Sequence, residues 1–195
     1  MKKAYIIPSS LVIVAAVITV STASAFAIGG RYGQTNKTAQ AGSASNQTIQ
    51  TNAPISAQDQ LSLLFMIEEE KLAHDLYTAF YEKWGLAVFK NISNSETSHQ
   101  KTIANVLVKY GISDPRSNEQ GVFTNQDLQS LYNRLLAQGL TTSKDAINIG
   151  IAVEKKDIAD LQAAIEGSAN STLETAYNRL KRGSENHLRA FSKLS

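Results

Sequence analysis

The sequence predicts an all-α domain over residues 57–195: an up-down four-helix bundle with a short extra helix between the second and third long helices. Apolar residues recur at three- and four-residue spacing through four long segments, and a glycine follows the end of each of the first three. No segment alternates apolar and polar residues in the manner of a strand. These three observations indicate helices throughout the domain.

The first predicted helix covers residues 57–84, a run without proline or glycine between Ser56, a suitable N-cap, and Gly85. At 1.5 Å per residue it is roughly 40 Å long. Apolar side chains cover so wide an arc that this helix belongs inside a bundle. The charged run Glu68–Lys71 is expected to form mainly a solvated face with one member pointing inward. His74 is expected to pair with a neighbour or to face solvent.

The second long helix is predicted over residues 92–110 and ends before Gly111. A short helix follows over residues 126–137, where Thr124 and Asp127 resemble a capping box. The glycine that follows each segment supplies a helix stop, because glycine adopts the left-handed conformation without strain.

Ser143 is predicted to cap the third long helix, which ends at Glu166, and the fourth is predicted over residues 171–194. Spacing of three or four residues places a set of side chains on one inward face of the fourth helix. This set contains a serine and a histidine among apolar residues: Leu173, Tyr177, Leu180, Ser184, His187 and Phe191.

Polar side chains interrupt the apolar stripe of every long helix. They are Glu70, Glu96 with His99, Glu154 with Asp157, and His187. A buried carboxylate without a partner is very costly, so such groups must be paired, hydrogen-bonded or bound to a metal. Residues three apart on a helix lie about 5–6 Å apart at their Cβ atoms, so Glu96 and His99 can point an oxygen and a nitrogen at one centre. Ferritin-like di-iron proteins use this device.

Several segments of the chain resemble an uncharacterised family of the ferritin-like superfamily, known chiefly as a domain of unknown function in bacteria and archaea. They are Glu68–Tyr77, Glu96-x-x-His99, Glu154-x-x-Asp157 and Gly183–Phe191. The resemblance covers about residues 57–193. In the broader rubrerythrin-like pattern, the first helix carries a glutamate, an alanine three residues later and a tyrosine seven residues later. Glu70, Ala73 and Tyr77 match that spacing, which selects Glu70 within the acidic run.

The resemblance implies metal ligands at five positions: Glu70, Glu96, His99, Glu154 and His187. One departure matters, because the fourth helix should read Glu-x-x-His and here has Ser184-x-x-His187. Serine is a poor ligand for iron, so a carboxylate is missing from the expected set. Asp157 faces nearly the same way as Glu154 and is the candidate to fill the gap. A rearranged di-metal centre, a weaker one and a single-metal site all stay open.

The composition excludes several other classes of function. The chain has no cysteine and only three histidines, so any metal must be held by carboxylates and imidazoles. Its formal net charge is +2, and no basic stripe with interleaved aromatic residues is present, so no nucleic-acid partner is expected. The sequence contains no nucleophile–base pair, glycine-rich phosphate loop or dinucleotide fingerprint.

The first 30 residues predict export. Lys2 and Lys3 precede an apolar stretch, and small residues near Ala25 and Ala27 offer cleavage sites of a signal peptide. An uncleaved membrane anchor stays open, because roughly 20 apolar residues suffice to span a bilayer. Residues 31–56 are rich in polar and small residues and predict a flexible linker. The domain is therefore expected outside the cytoplasm, secreted or membrane-anchored.

The function expected from the sequence is binding of one or two transition-metal ions. Iron is the first candidate, with manganese or zinc open from ligand type alone. The activity expected of a redox-active centre is ferrous oxidation or reduction of oxygen or peroxide. The alternative is a non-enzymatic surface-tethered helical module with a metal-free buried polar network, and a homodimer is open in either case.

Overall fold

The computed structural model describes residues 55–195, and within that range the chain forms five α-helices and no strand. They are α1 (Ala57–Trp84), α2 (Ala87–Tyr110), α3 (Gln126–Gly139), α4 (Ser143–Gly167) and α5 (Ser171–Ser192). The all-α prediction, with a short helix between the second and third long ones, is confirmed. The predictions of a leader at residues 1–30 and of a linker fall outside the described residues, apart from the last two linker positions.

Most helix ends follow the signals that predicted them. The Ser56 hydroxyl accepts the Asp59 N–H at the start of α1. Gly85 and Gly111 adopt φ values of 66° and 67° and end α1 and α2 in the left-handed conformation that glycine tolerates. Helix α2 begins at Ala87, five residues earlier than predicted, without a side-chain cap to mark its start.

Two N-caps differ by one residue from the prediction. Asn125, rather than Thr124, caps α3, and its side-chain oxygen accepts the N–H groups of Asp127 and Leu128. Thr142, rather than Ser143, caps α4. In both cases the capping residue has an extended backbone, which aims its side-chain oxygen at the free N–H groups of the first turn.

The four long helices pack in a ring. Helix α1 contacts α2 and α4, and α5 also contacts α2 and α4. Helices α1 and α2 run antiparallel: Phe80 packs on Phe89, whereas Glu70, earlier in α1, contacts His99, later in α2. Helices α2 and α5 are also antiparallel, since the end of α2 contacts the start of α5. This pattern is that of a four-helix bundle.

Helix α4 is antiparallel to α1 as well. Tyr77 reaches the carbonyl of Gly150, whereas Glu69, earlier in α1, pairs with Lys156, later in α4. Helices α2 and α4 therefore run in the same direction, so the up-down order predicted from the sequence is wrong for this pair of consecutive long helices. The connection between them, residues 111–142, has to return along the bundle, and it carries α3, which packs against α1 and α4.

The prediction that Glu68–Lys71 forms a solvated face is wrong, because all four residues are buried. Successive residues of a helix point about 100° apart, and α1 is covered by α2, α4 and the crossover connection. Each charge in the run therefore meets a different neighbour. Lys71 pairs with Asp75 at 2.5 Å and donates to the carbonyl of Glu119.

The carboxylate of Glu68 holds the crossover connection against α1. It accepts the backbone N–H groups of Thr124 and Asn125 at 2.6 and 2.9 Å, just before α3 begins. Together with the Lys71 bond, this fixes both sides of the loop that precedes α3. Within residues 55–195, none of the helices is long and apolar enough to cross a membrane.

Candidate metal centre

Three of the polar residues that interrupt the apolar stripes meet between α2 and α5. Glu96, His99 and His187 are buried, and each offers a ligand atom within 4.8 Å of those of the other two. The two imidazole rings stack with their centroids 5.3 Å apart. The Glu96-x-x-His99 pair thus faces the histidine of the fourth long helix, as the spacing predicted.

Helices α1 and α4 each bring one glutamate to this group. The Nδ1 atom of His99 lies 3.1 Å from Glu70 Oε2, and the Nδ1 atom of His187 lies 3.5 Å from Glu154 Oε2. Both glutamates are 2% exposed. Five of the six predicted site residues are therefore linked by contacts between side chains of all four long helices.

Glu96 lies between the two imidazoles. Its Oε2 is 2.8 Å from Nδ1 of His99, and its Oε1 is 2.8 Å from Nδ1 of His187. Neither Glu96 Oε2 nor His187 Nδ1 has a hydrogen-bond partner, so these short contacts lack hydrogen-bond alignment. Atoms that lie this close without pointing at each other have the placement expected of ligands grouped around a shared centre.

Asp157 is the residue predicted to supply the carboxylate that the fourth long helix lacks. It is 5% exposed. Burial raises its pKa, the charges of Glu70 and Glu154 raise it further, and the Ser184 hydroxyl lowers it. Asp157 therefore lies beside Ser184 and within the electrostatic reach of the other acids. No ion pair within 4.0 Å joins Asp157 to either histidine in residues 55–195, so its ligand role stays a prediction.

Unsatisfied atoms concentrate at this centre. The buried side-chain atoms without a hydrogen-bond partner in residues 55–195 are Glu69 Oε2, Glu70 Oε1, Glu96 Oε2, Asp157 Oδ1 and His187 Nδ1. Four of these five belong to the predicted site. Folded proteins rarely leave buried polar atoms unpaired, and a bound ion is one partner that satisfies such atoms.

The acids of the centre differ in the direction in which their pKa values are shifted. Burial acts to raise the pKa of Glu96, but the imidazoles of His187 and His99 outweigh it and lower that pKa to about 2. Burial and the nearby Glu96 charge raise the pKa of Glu154 to about 7 despite His187. Burial also raises the pKa of Glu70 well above its usual value.

Both histidines favour the charged form. Burial lowers their pKa values, but the neighbouring carboxylates outweigh it and raise the pKa of His99 to about 11 and that of His187 to about 9. Without a metal, protons therefore partly neutralise the acids of this centre.

A family model described as "Uncharacterized protein domain (DUF2202)" matches residues 59–194. The chain belongs to this family. It is 42% identical to an uncharacterised protein of Methanocaldococcus jannaschii, MJ0754, over 142 residues, which are 72% of this chain and 77% of that protein. The crystal structure titled as hypothetical protein MJ0754 superposes with a TM-score of 0.72 at 40% identity, covering 73% of this chain and 82% of that one.

Two hydroxyl groups of this DUF2202 domain support the centre from outside. Ser95 lies 2.9 Å from Nε2 of His187, and Tyr77 donates to Oε1 of Glu154 at 2.7 Å. Burial and the Glu154 charge raise the pKa of Tyr77, so its hydroxyl remains a donor. Tyr77 belongs to the Glu-Ala-Tyr spacing that selected Glu70, whereas nothing in the sequence distinguishes Ser95 from other helix serines.

His74 does not join the centre. Its Nδ1 lies 2.9 Å from Asp75 Oδ1, and its side chain is 34% exposed. The prediction that it pairs with a neighbour or faces solvent is confirmed.

The ring of His99 lies against the backbone of α5 at Gly183. A Cβ atom at Gly183 would lie 2.7 Å from Cε1 of His99 and even closer to Nε2. Glycine inside a helix costs about 1 kcal/mol relative to alanine, so this residue has a packing reason to be there. The sequence does not reveal this contact, because it joins residues of two distant helices.

We expect Gly183→Ala to displace the His99 imidazole from Glu70 and Glu96. The pKa of His99 in chelator-treated protein should fall below about 11, because its carboxylate partners raise it. Helix propensity alone would stabilise the variant by about 1 kcal/mol, so a lower thermal midpoint would reveal the clash. NMR titration of the imidazole and a thermal melt measure both quantities.

Gly167→Ala is the matched control for this substitution. Gly167 is also helical, and a Cβ there would meet no atom within 4 Å. An unchanged His99 pKa in Gly183→Ala, together with a gain in stability like that of the control, would contradict the packing role.

We also expect the metal-free protein to lose stability as pH rises from about 5 to about 9. The folded pKa values of about 7, 9 and 11 for Glu154, His187 and His99 lie above the ordinary values of 4.5, 6.5 and 6.5. The folded state therefore holds more protons than the unfolded chain, and its free energy of unfolding falls with pH. The loss should be on the order of 1 kcal/mol per pH unit.

Urea unfolding of chelator-treated protein across this range measures that slope. Glu96, with a folded pKa of about 2, acts in the opposite sense only below its ordinary value of 4.5. Glu154→Gln removes one titrating group and should flatten the slope. Stability that is constant or rises with pH in the parent protein would show that these groups do not retain their protons on folding.

Proposed function

We propose that this domain binds two transition-metal ions, with iron the first candidate, at the centre between its four long helices. The observation that carries the proposal is the group of buried ligand-type atoms without hydrogen-bond partners: Glu70 Oε1, Glu96 Oε2, Asp157 Oδ1 and His187 Nδ1. Leaving such atoms unpaired costs several kcal/mol in a metal-free protein, and bound cations offset that cost.

The residues present fit such a centre. The proposed ligands are four carboxylates and two imidazoles: Glu70, Glu96, Glu154, Asp157, His99 and His187. Ferritin-like di-iron proteins use the same numbers, with one Glu from each of two helices and a Glu-x-x-His from each of the other two. In this chain Asp157 on α4 would supply the carboxylate that Ser184 on α5 lacks. Oxygen and nitrogen ligands suit iron or manganese and also permit zinc.

The helix directions support a ferritin-like arrangement. Ferritin-like bundles differ from simple up-down bundles by one long crossover connection. Residues 111–142 make such a connection, because α2 and α4 both run antiparallel to α1. We therefore propose that the bundle is ferritin-like, and that α3 is an addition within its crossover.

When bound, the ions would supply ferrous oxidation or the reduction of oxygen or peroxide. The chain's own residues orient and enclose the site. Ser95 holds the His187 ring by its outer nitrogen, which leaves Nδ1 for the centre. Tyr77 holds one oxygen of Glu154 and leaves the other facing His187. The burial of all six side chains limits access of water.

The alternative is a metal-free polar network that serves only the structure. The contact of His99 Nδ1 with Glu70 at 3.1 Å favours it, because that hydrogen bond forms without a metal. The two proposals differ in whether removal of metal changes stability, since a ligand that binds only the folded state stabilises it.

Metal analysis of the full-length chain, purified without a histidine tag, tests the proposal. We expect two ions per chain in the parent, loss of most metal in Glu96→Ala and His187→Ala, and about one ion in Asp157→Asn. Chelation should lower the thermal midpoint of the parent by several degrees, as expected for loss of about 3 kcal/mol of ligand stabilisation.

Glu185→Ala is the matched control, because Glu185 lies on α5 near His187 but is 38% exposed and pairs with Lys181 at the surface. It should retain both ions. Substoichiometric metal that none of these substitutions changes, with a midpoint insensitive to chelator, would favour the metal-free network instead.

We further propose that the domain works outside the cytoplasm. The support lies in the sequence: Lys2 and Lys3 followed by an uncharged apolar stretch, and a polar linker before the helices. Fractionation of cells that express the full-length chain should recover it beyond the cytoplasmic membrane or bound to it. Recovery of the intact chain in the cytoplasm would overturn this proposal.

A further inference from the structure

A polar cleft of about 510 Å³ lies between α1, α2 and the crossover connection. Sites for small ligands commonly enclose about 300–1,000 Å³. The cleft opens to solvent, since the side chains of His74 and Arg116 are 34% and 24% exposed. Its polar lining includes Lys71, His74, Asp75, Gln100, Arg116 and Ser117.

The carboxylates of this lining already have partners. Asp75 accepts from Lys71 and from the N–H of Gly121 through Oδ2, and its Oδ1 contacts His74. The carboxylate of Asp114 accepts from the guanidinium of Arg116. The acids of the cleft are therefore satisfied by groups of the protein itself.

Donor atoms, by contrast, are left over. Lys71 has three N–H donors, of which Asp75 and the Glu119 carbonyl accept two, and its Nζ also lies 4.6 Å from the centroid of the Phe123 ring, so this ammonium supplies charge rather than a free donor. Arg116 has five, of which three serve Asp114 and Gln100, which leaves two.

The side-chain amide of Gln100 has a defined orientation. The Nη1 atom of Arg116 donates to its Oε1 at 2.6 Å, which fixes which end of the amide is nitrogen. Gln100 is only 8% exposed, and its Nε2 has no acceptor in the part of the chain that the structure describes. Because Gln100 lines the cleft, its two free N–H donors are available to a molecule bound there.

We propose that this cleft is a binding site for a small oxyanion, a phosphate or a carboxylate, held by the free donors of Gln100 and Arg116 beside the Lys71 ammonium. Oxyanions supply several acceptor oxygens, and hydrogen bonds to a charged acceptor are the stronger kind. The cations and acids of the lining cancel in formal charge, so recognition depends on the alignment of donors. The site does not require the proposed metal centre, although Lys71 and Gln100 directly follow Glu70 and His99 in the chain.

Calorimetric titration of the full-length chain tests this site with two probes, inorganic phosphate and succinate, at constant ionic strength set with chloride. We expect saturable binding of one molecule per chain, equal before and after chelator treatment. The probe that binds identifies which oxyanion class the cleft takes. Gln100→Glu keeps the acceptor for Arg116 but replaces the free amide donors with a negative charge, so affinity should fall at least about tenfold.

Gln138→Glu makes the same change of charge at an exposed position of α3 and should bind like the parent. Arg116→Gln is a second test, because it removes two free donors while leaving Asp114 at the surface. Circular dichroism confirms that each variant is folded. Absence of saturable binding for both probes, binding that disappears on chelation, or equal affinity in Gln100→Glu and the parent would overturn the proposal.

Discussion

The burial of carboxylates on every side of α1 is the constraint on which the rest of this structure depends. A buried charge without a partner is far more costly than the net gain from a typical hydrogen bond, so each acid has to find its own partner. Glu68 binds the crossover connection, Glu69 binds α4 and Glu70 binds α2. Three consecutive residues thus attach α1 to three different elements, and apolar side chains pack between those attachments.

The same constraint explains the unusual electrostatics at the centre of the bundle. Four carboxylates face two imidazoles, so full ionisation would leave two surplus negative charges in a buried site. Without a cation, protons have to balance the difference: burial and then the neighbouring carboxylates raise the pKa values of Glu154 and Asp157, whereas the two imidazoles beside Glu96 lower its pKa. Two divalent cations would remove the surplus and release those protons.

The sequence predicted the elements of the fold well, because helix stops and apolar periodicity are local signals. It placed α1 at its observed bounds, and it gathered the Glu96, His99 and His187 positions on inward stripes. It failed at the charged run Glu68–Lys71, since local pattern does not reveal that a helix is surrounded on all sides. It also could not find Gly183 behind His99, because that contact depends on the relative placement of two helices.

The neighbouring placement of Asp157 and Ser184 has a consequence for how relatives of this chain should be compared. If Asp157 is a ligand as proposed, the carboxylate that α5 lacks would come from α4, and the set of charged groups would be kept in space although the motif is absent along the chain. Selection would act on these two positions jointly: where one supplies the acid, the other is free to be small and neutral. Members that look incomplete by linear motif would then be complete when their side chains are counted in three dimensions.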